Sequence, residues 1–175
     1  MQRNEGPTGL PDESNSCLII SGQILRETRY TKGSSQYAEI GGRSLGLDPL
    51  IKNDQAIIAN VDGKGLVIVS SCGHSGIINT INYAKKLVGV EKIHAVLGGF
   101  HLSGSLHEET IAPTVGALHE AAPDFVVPCH CIGWKAINTI IQYMPSPAGP
   151  DCQALAMSCE TTNWVPVFLK SLSSQ

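Results

Sequence analysis

The sequence predicts an α/β layered domain, and three observations support this prediction. Three apolar runs, at residues 66–70, 93–97 and 125–127, consist mainly of β-branched and aliphatic residues and indicate buried strands. Each run is followed by a turn that contains glycine and histidine, and then by a segment with helical periodicity. Upstream, Asp62-Gly63-Lys64 separates two further apolar runs, which is a strong β-hairpin signal. Strands that alternate with helices in this way are typical of layered α/β domains.

The first part of the chain is predicted to be antiparallel β-structure and loop. Residues 1–16 are polar and contain glycine and proline, so we expect a flexible lead-in before a single domain at 17–170. Residues 17–21 are a short strand candidate. The glycine- and serine-rich stretch 30–46 is predicted to be loop with a weak strand at 37–40. The two arms of the predicted hairpin are 55–61 and 65–71.

The second part is predicted to alternate strands with three helices. Within 76–88, Ile77, Ile81 and Ala84 share one helical face. Similar patterns occur at 107–121 and 134–144, and Pro145 ends the last of them because proline cannot donate a backbone hydrogen bond. Two closing strands are predicted at 154–158 and 164–169, before a short tail at 171–175.

Composition narrows the class of protein. A net charge of −3 gives no electrostatic reason to expect a nucleic acid or an anionic membrane as partner. A hydrophobic content of 42% is sufficient for a sizeable core in 175 residues. No apolar run approaches the roughly 18 residues that span a bilayer, and the first residues do not resemble a signal or transit peptide. We therefore expect a cytoplasmic protein.

Six cysteines, at positions 17, 72, 129, 131, 152 and 159, raise the question of a disulfide framework. A chain of this length and hydrophobicity does not need one, and no export signal is visible. We expect mostly reduced thiols, with the 152/159 pair as the exception.

Three histidines are the sharpest chemical feature. His74, His101 and His130 follow the three predicted parallel strands, and ligands bind at the carboxyl edge of such sheets. Neutral imidazole binds zinc and similar metals, so three loops that converge at this edge predict an open metal site. The alternative is that each histidine only hydrogen-bonds to backbone at the end of its strand.

Nearby cysteines offer two further interpretations. Cys129-His130-Cys131 is a candidate zinc knuckle, but adjacent side chains of an extended segment point to opposite faces. This geometry favours His130 alone as the ligand. Cys72 and His74 share a face in strand geometry, so a thiol nucleophile with a histidine partner is also considered.

The remaining polar residues carry weaker signals. His94 and His119 are predicted to be structural or surface residues, whereas His107 is expected either to cap its helix or to lie near the site. The arginines at positions 26, 29 and 43 are predicted to lie on a solvated surface, and contact with an anionic substrate is the alternative.

Four blocks of the sequence resemble the metallo-β-lactamase-fold superfamily. The resemblance covers residues 22–141, and the motifs CGHSGI, GGFHL and CHC-x-G, in that order, carry most of it. Within the superfamily, the chain resembles the dihydropterin-6-yl-methyl-ribofuranosylaminobenzene 5′-phosphate synthase-like metal-dependent hydrolases. The blocks are GQILRET, NDQAIIANVDGKGLVIVSSCGHSGIINTINYAKKL, KIHAVLGGFHLSG and PDFVVPCHCIGWKAI.

The resemblance implies an αβ/βα sandwich with a site for one or two divalent metal ions, usually zinc. In hydrolytic members a metal-bound hydroxide is the usual nucleophile, because the metal lowers the pKa of its bound water. By this resemblance His74 and His130 match two metal ligands. His101 stands where the superfamily commonly carries a bridging carboxylate or another residue of the second metal site.

The sequence departs from the superfamily in one respect. The motif His-x-His-x-Asp-His, which normally supplies upstream ligands, does not occur, and the first histidine is His74. The resemblance therefore implies the C-terminal portion of the fold, a truncated domain with one inner sheet face uncovered.

Three functions are consistent with these observations. The first is metal-dependent hydrolysis of a small molecule that bears a phosphate or a pterin. The second is a non-catalytic truncated homologue that associates with a second copy of itself or with a complementary half-domain. The third is a Cys72/His74 thiol enzyme.

Overall fold

The computed structural model describes the chain over six ranges. Side chains are described for residues 18–31 and 54–144, and the backbone alone for 37–40, 44–47, 153–160 and 163–168. The predicted lead-in at 1–16 and the tail at 171–175 lie outside these ranges. None of the helices in the described ranges combines the length and hydrophobicity that a bilayer-spanning helix needs.

Seven strands form one mixed sheet, and two more form a separate hairpin. The sheet order is β1-β4-β5-β6-β7-β8-β9, and the β5–β6, β6–β7 and β7–β8 pairs are parallel, the others antiparallel. The strands are β1 Leu18–Ile20, β2 Tyr37–Ile40, β3 Ser44–Leu47, β4 Ala56–Val61, β5 Gly65–Ser70, β6 Ile93–Gly98, β7 Phe125–Pro128, β8 Gln153–Glu160 and β9 Asn163–Phe168.

Three helices connect the parallel strands, as the sequence periodicity predicts. A short 3₁₀ turn, Ser105–His107, precedes the second of them. The helices are α1 Ile77–Val88, α2 Glu108–Ala121 and α3 Trp134–Tyr143. Because each helix joins two neighbouring parallel strands, all three crossovers place their helices on the same face of the sheet.

The predicted hairpin is confirmed, and one strand was missed. β4 and β5 pair from Ala56↔Ser70 to Val61↔Gly65, so Asp62, Gly63 and Lys64 form the connection between them. β2 pairs with β3 at Ser44–Leu47, within and just beyond the stretch that the sequence predicted to be loop. Sequence analysis missed β3 because this stretch is rich in glycine and serine, which have low β-propensity. Pairing with β2 overrides that preference.

The core lies between the sheet and its helices. Ile58, Ile68, Val96 and Val126 are neighbours across four strands, and none of their side chains reaches solvent. They form one cluster with the buried faces of the three helices, which include Ile81, Val115 and Ile140. Because side chains alternate along a strand, the row displaced by one residue must point to the opposite face.

That opposite face is apolar and partly open. Ile20, Ile57 and Val69 are direct neighbours on β1, β4 and β5, and they are 43%, 43% and 39% exposed. Contiguous exposed apolar residues of this kind are uncommon on a solvent-facing sheet, and they mark surfaces suited to contact with other protein.

The parallel pairing of β5 and β6 depends on a close approach at Gly98. Gly98 has a φ of +111°, and a β-carbon there would fall inside van der Waals contact of the Ser70 carbonyl oxygen. Gly98→Ala should therefore lower the free energy of unfolding by about 2 kcal/mol or more, through backbone strain and displacement of the neighbouring strand. Urea denaturation measures this change.

Gly116→Ala is the matched control, since Gly116 lies inside α2 and an added β-carbon there meets no atom within 4 Å. This substitution should raise the free energy of unfolding by about 0.5–1 kcal/mol, because alanine restricts the unfolded chain and suits a helix. Equal changes in the free energy of unfolding for Gly98→Ala and Gly116→Ala would contradict the close approach of Gly98 to Ser70.

Candidate metal centre

Three loops meet where the parallel strands end. They follow β5, β6 and β7, and backbone hydrogen bonds join each to the next. Gly99 N–H donates to the Ser71 carbonyl over 2.9 Å, and Leu102 N–H donates to the Cys131 carbonyl over 2.8 Å. These bonds fix the relative positions of the loops, so the side chains that they carry are held by the sheet itself.

A buried aspartate holds the first of these loops. Asp54, which precedes β4, is only 3% exposed. Its Oδ1 accepts a hydrogen bond from the Ser71 hydroxyl at 2.5 Å, and its Oδ2 accepts one from the Ser75 backbone N–H at 2.8 Å. The two bonds bracket Cys72 and His74. Sequence analysis missed Asp54; an acidic residue beside a buried strand was the available signal.

A buried asparagine joins the same loop to the segment after β1. Asn79, 2% exposed in α1, donates from Nδ2 to the Ser75 carbonyl at 2.6 Å. Its Oδ1 accepts from the backbone N–H groups of Glu27 and Thr28, at 3.1 and 2.9 Å. The segment after β1 is therefore held against the start of α1, beside the candidate site.

Arg26 strengthens this connection. Its Nη2 donates to the His74 carbonyl at 2.6 Å, so its guanidinium group orients the loop that carries a predicted ligand. Arg29 is exposed, and Arg43 lies outside the described residues.

Three imidazole rings form a row at this edge of the sheet. The His74 and His101 ring centroids are 4.4 Å apart, and those of His101 and His107 are 4.8 Å apart, both in edge-to-face arrangements. His107, which sequence analysis left between a capping role and a site role, is 7% exposed and belongs to this row. His101 adopts a φ of +48°, an uncommon conformation for a residue with a β-carbon.

The central imidazole of the row is electrically neutral at neutral pH. Burial and the neighbouring His74 and His107 lower the pKa of His101 from 6.5 to about 4; Arg26 lowers it further, while Asp54 acts in the opposite direction. Its Nδ1 is buried and has no hydrogen-bond partner among the described residues. A neutral imidazole with an unused ring nitrogen is the form that binds a metal.

The histidine row lines an open pocket. Thr28 also lines it, and its hydroxyl oxygen is buried without a hydrogen-bond partner among the described residues. An unsatisfied buried polar group costs about 1–3 kcal/mol, so two in one pocket favour a polar ligand or ion there. The other lining residues are Tyr30, Thr31, Gly73, Gly76, Ile77, Ile78, Phe100, Leu102, Thr110 and Thr114.

His130 lies in a different group of donors. Its Nε2 is 3.4 Å from the Cys72 sulfur, and the Cys72 sulfur is 3.6 Å from that of Cys131. Within the part of the chain that the structure describes, these three residues form a set of metal-type donor atoms that all lie within 4.8 Å of one another. Cys129 is outside the set, and its thiol donates to the Val127 carbonyl at 3.3 Å.

The backbone at Cys131 explains why two adjacent side chains share this site. Sequence analysis assumed an extended segment, in which His130 and Cys131 would point to opposite faces. Cys131 instead has a φ of +51°, in the left-handed region, so the alternation of an extended strand does not apply.

In the metal-free protein, the Cys131 thiol is protonated at neutral pH. Burial, its hydrogen bond with Cys72 and the negative charge that Cys72 can carry raise the pKa of Cys131 to about 11. Cys72, Cys129 and Cys131 are free thiols in the structure. Cys17, Cys152 and the side chain of Cys159 lie outside the described residues.

The structure thus divides the predicted ligands between two neighbouring groups. His74 and His101 lie together in the pocket with His107, whereas His130 lies with Cys72 and Cys131. The imidazole beside the Cys72 sulfur is that of His130, rather than the predicted His74. His94 Nδ1 lies within hydrogen-bond distance of Asp124 Oδ2, at 2.8 Å, and His119 is exposed on α2.

Asp54→Asn should lower the free energy of unfolding by about 1.5–3 kcal/mol, because an amide cannot accept both hydrogen bonds as a carboxylate does. Urea denaturation of both proteins checks this. Asp62→Asn in the exposed hairpin turn is the control, since asparagine suits such turns equally well. Similar stability of all three proteins would show that Asp54 does not hold the loop.

His101 should also set part of the pH dependence of stability in metal-free protein. Its pKa is about 4 when folded and 6.5 when free, so both states are uncharged above pH 6.5. As the pH falls, the unfolded chain binds the proton first, and stability is lost between about pH 6.5 and pH 4.

Ring-proton NMR titration with a chelator present measures the His101 midpoint directly, and the missing resonance in His101→Gln assigns it. In His101→Gln, the loss of unfolding free energy between about pH 6.5 and pH 4 that His101 causes should disappear. A midpoint near 6.5 would contradict burial of the uncharged ring.

The sequence is similar to two proteins of Methanocaldococcus jannaschii. No protein-family model matches the sequence. The chain is 38% identical over 89 residues to a 7,8-dihydropterin-6-methyl-4-(β-D-ribofuranosyl)-aminobenzene-5′-phosphate synthase of Methanocaldococcus jannaschii, a match that covers 51% of this chain and 30% of that protein. It is 32% identical over 132 residues to an uncharacterized protein of the same organism, covering 75% and 46%. The chain therefore spans less than half the length of these two relatives.

A solved structure shows the same architecture. The crystal structure of a metal-dependent hydrolase of the β-lactamase superfamily superimposes with a TM-score of 0.65 at 24% identity. The match covers 91% of this chain and 56% of that one. This likeness confirms the predicted fold class, and the chain is an α/β protein with the metallo-β-lactamase fold.

Proposed function

We propose that the chain carries part of a metal-dependent hydrolase site that acts on a small molecule. The observation that carries the proposal is the row of imidazoles in a pocket where the buried His101 Nδ1 and Thr28 hydroxyl both lack partners among the described residues. The superfamily resemblance and the metal-dependent hydrolase with the same fold support it.

The residues present fit a divalent ion. His101 offers a neutral ring with an unused nitrogen, and the Cys72, His130 and Cys131 donors lie close together. Nitrogen and sulfur donors suit zinc better than magnesium or calcium. We propose one or two zinc ions, with His74 as a ligand and His101 as a further ligand in the pocket, and His130 as a ligand in the neighbouring donor group. When bound, such an ion acts as a Lewis acid that activates water.

The chain's own residues give the pocket its other properties. Arg26 and Asp54 hydrogen-bond to the loop of His74, so the backbone that carries this imidazole is held in place before any ligand arrives. Gly76 precedes α1 and has no side-chain cap, and the first residues of that helix line the pocket. Free N–H groups at a helix N-terminus attract anions. A phosphate-bearing substrate fits this arrangement, and a related synthase has a pterin and a 5′-phosphate in its name.

The test combines metal content with hydrolysis. Purified protein is analysed for bound metal and assayed with p-nitrophenyl phosphate, bis(p-nitrophenyl) phosphate and p-nitrophenyl acetate. Chelation should abolish hydrolysis and added Zn²⁺ should restore it. His74→Ala and His130→Ala should each reduce bound zinc by half or more, because each removes a ligand. His119→Ala, on the exposed surface of α2, should change neither quantity.

The other two functions give different results in the same experiment. Hydrolysis that survives chelation but is lost in Cys72→Ala would indicate a thiol enzyme, for which the 3.4 Å approach of Cys72 to His130 is the supporting contact. Absence of both metal and hydrolysis, with a solution mass above that of one chain, would indicate an association module. The exposed row of Ile20, Ile57 and Val69 is the observation that favours this module.

A further inference from the structure

We infer that Cys72, His130 and Cys131 form a thiolate-containing ligand set for a soft divalent ion such as Zn²⁺. The inference deepens the proposed function, since it shares His130 with it, but it does not require that the chain hydrolyse anything. It assigns two sulfur ligands where the sequence and the superfamily resemblance indicated imidazole alone.

Two of the three donor distances match those of a zinc tetrahedron. Zinc binds sulfur at about 2.3 Å and imidazole nitrogen at about 2.0–2.1 Å, so tetrahedral geometry places two sulfurs about 3.8 Å apart and a sulfur and a nitrogen about 3.6 Å apart. The corresponding distances here are 3.6 Å between the sulfurs of Cys72 and Cys131, and 3.4 Å between the Cys72 sulfur and His130 Nε2. These two distances are each within about 0.2 Å of the tetrahedral values, and the third pair, His130 Nε2 and the Cys131 sulfur, lies within 4.8 Å. Because His130 is exposed, its side chain is free to close the remaining distance when an ion binds.

The backbone holds these donors in place at a conformational cost. A residue with a β-carbon in the left-handed region costs about 1–3 kcal/mol, and such residues cluster at ligand sites. Cys131, with its φ of +51°, is one of them, and its carbonyl accepts a hydrogen bond from Leu102 N–H. That bond joins the loop after β7 to the loop after β6. Cys72 lies between the two groups that Asp54 binds, Ser71 and Ser75.

The environment of the set leaves one coordination position for solvent or a ligand. His130 is exposed, while Cys72 and Cys131 are half-buried. Three protein ligands with an open fourth position are typical of catalytic zinc sites, and two cysteines with one histidine are one of the known sets. Sulfur donors select zinc, cadmium or cobalt over manganese, magnesium or calcium. We therefore expect the set to discriminate strongly between these two groups of ions.

The test uses Co²⁺, which is a spectroscopic substitute for Zn²⁺. The purified protein is kept reduced with a phosphine, freed of metal and titrated with Co²⁺. A sulfur-to-cobalt charge-transfer band should appear in the near ultraviolet and disappear when Zn²⁺ is added, whereas excess Mg²⁺ should leave it unchanged. Cys72→Ser and Cys131→Ser should each weaken the band, and the double variant should lose it.

Cys129→Ser is the matched control, because Cys129 is a neighbouring half-buried thiol whose sulfur contacts the Val127 carbonyl instead of the ligand set. Its band should equal that of the parent. Circular dichroism of each variant excludes loss of fold as the cause of a missing band. Zn²⁺ should also protect Cys72 and Cys131, but not Cys129, from alkylation by iodoacetamide, as read by peptide mass spectrometry.

The outcomes separate this inference from the proposed function. Cobalt that binds without a charge-transfer band would overturn the inference and leave a histidine-only site intact. Cobalt that binds with the band in His74→Ala as in the parent would support the inference and remove His74 from this ion. No cobalt binding in folded protein would overturn both, and would leave Cys72, His130 and Cys131 as a hydrogen-bonded trio.

Discussion

The geometry of this edge of the sheet depends on the buried carboxylate of Asp54. It accepts hydrogen bonds from Ser71 and Ser75 on either side of Cys72 and His74, and it is only 3% exposed, so little of its surface is accessible to water. A buried charge is tolerated only where hydrogen bonds replace its hydration, so the loop must keep the conformation that supplies them. The same loop is then joined by Asn79 and Arg26 to the segment after β1. One desolvated group therefore holds the loop that carries Cys72 and His74, one residue from each of the two candidate donor groups.

The loops after β6 and β7 are held in place as well, because the ends of the strands pack closely against one another. Because Gly98 has no side chain, the β6 backbone approaches the Ser70 carbonyl closely. In the same way, Gly73 lets the loop after β5 approach the Gly99 carbonyl. With no side chains between them, the loops exchange backbone hydrogen bonds directly. The site is thus supported by the sheet rather than by long side chains, which is the arrangement that holds ligands in place before an ion binds.

The two groups of donor atoms at this edge of the sheet have different protonation properties, because their surroundings differ. In the pocket, burial and two neighbouring imidazoles keep His101 uncharged, so its ring can serve as a donor at neutral pH. Beside it, burial and the neighbouring Cys72 raise the pKa of Cys131, so its thiol is protonated at neutral pH, and a nearby positive charge would lower that pKa. A divalent ion provides that charge, and its binding would accordingly release protons.

The sequence by itself determined the alternation of strands and helices, the β4–β5 hairpin and the placement of three histidines at one edge. These features follow from local patterns: apolar periodicity, the Asp-Gly turn and the glycine–histidine turns that end buried strands. Tertiary structure alone decided which donors meet. The left-handed turn at Cys131 placed His130 with two thiols instead of with His74, and Asp54 acquired its role through contacts 17 and 21 residues away. Neither outcome could be read locally, because a backbone dihedral at one residue and the burial of a carboxylate are both set by packing between segments distant in sequence.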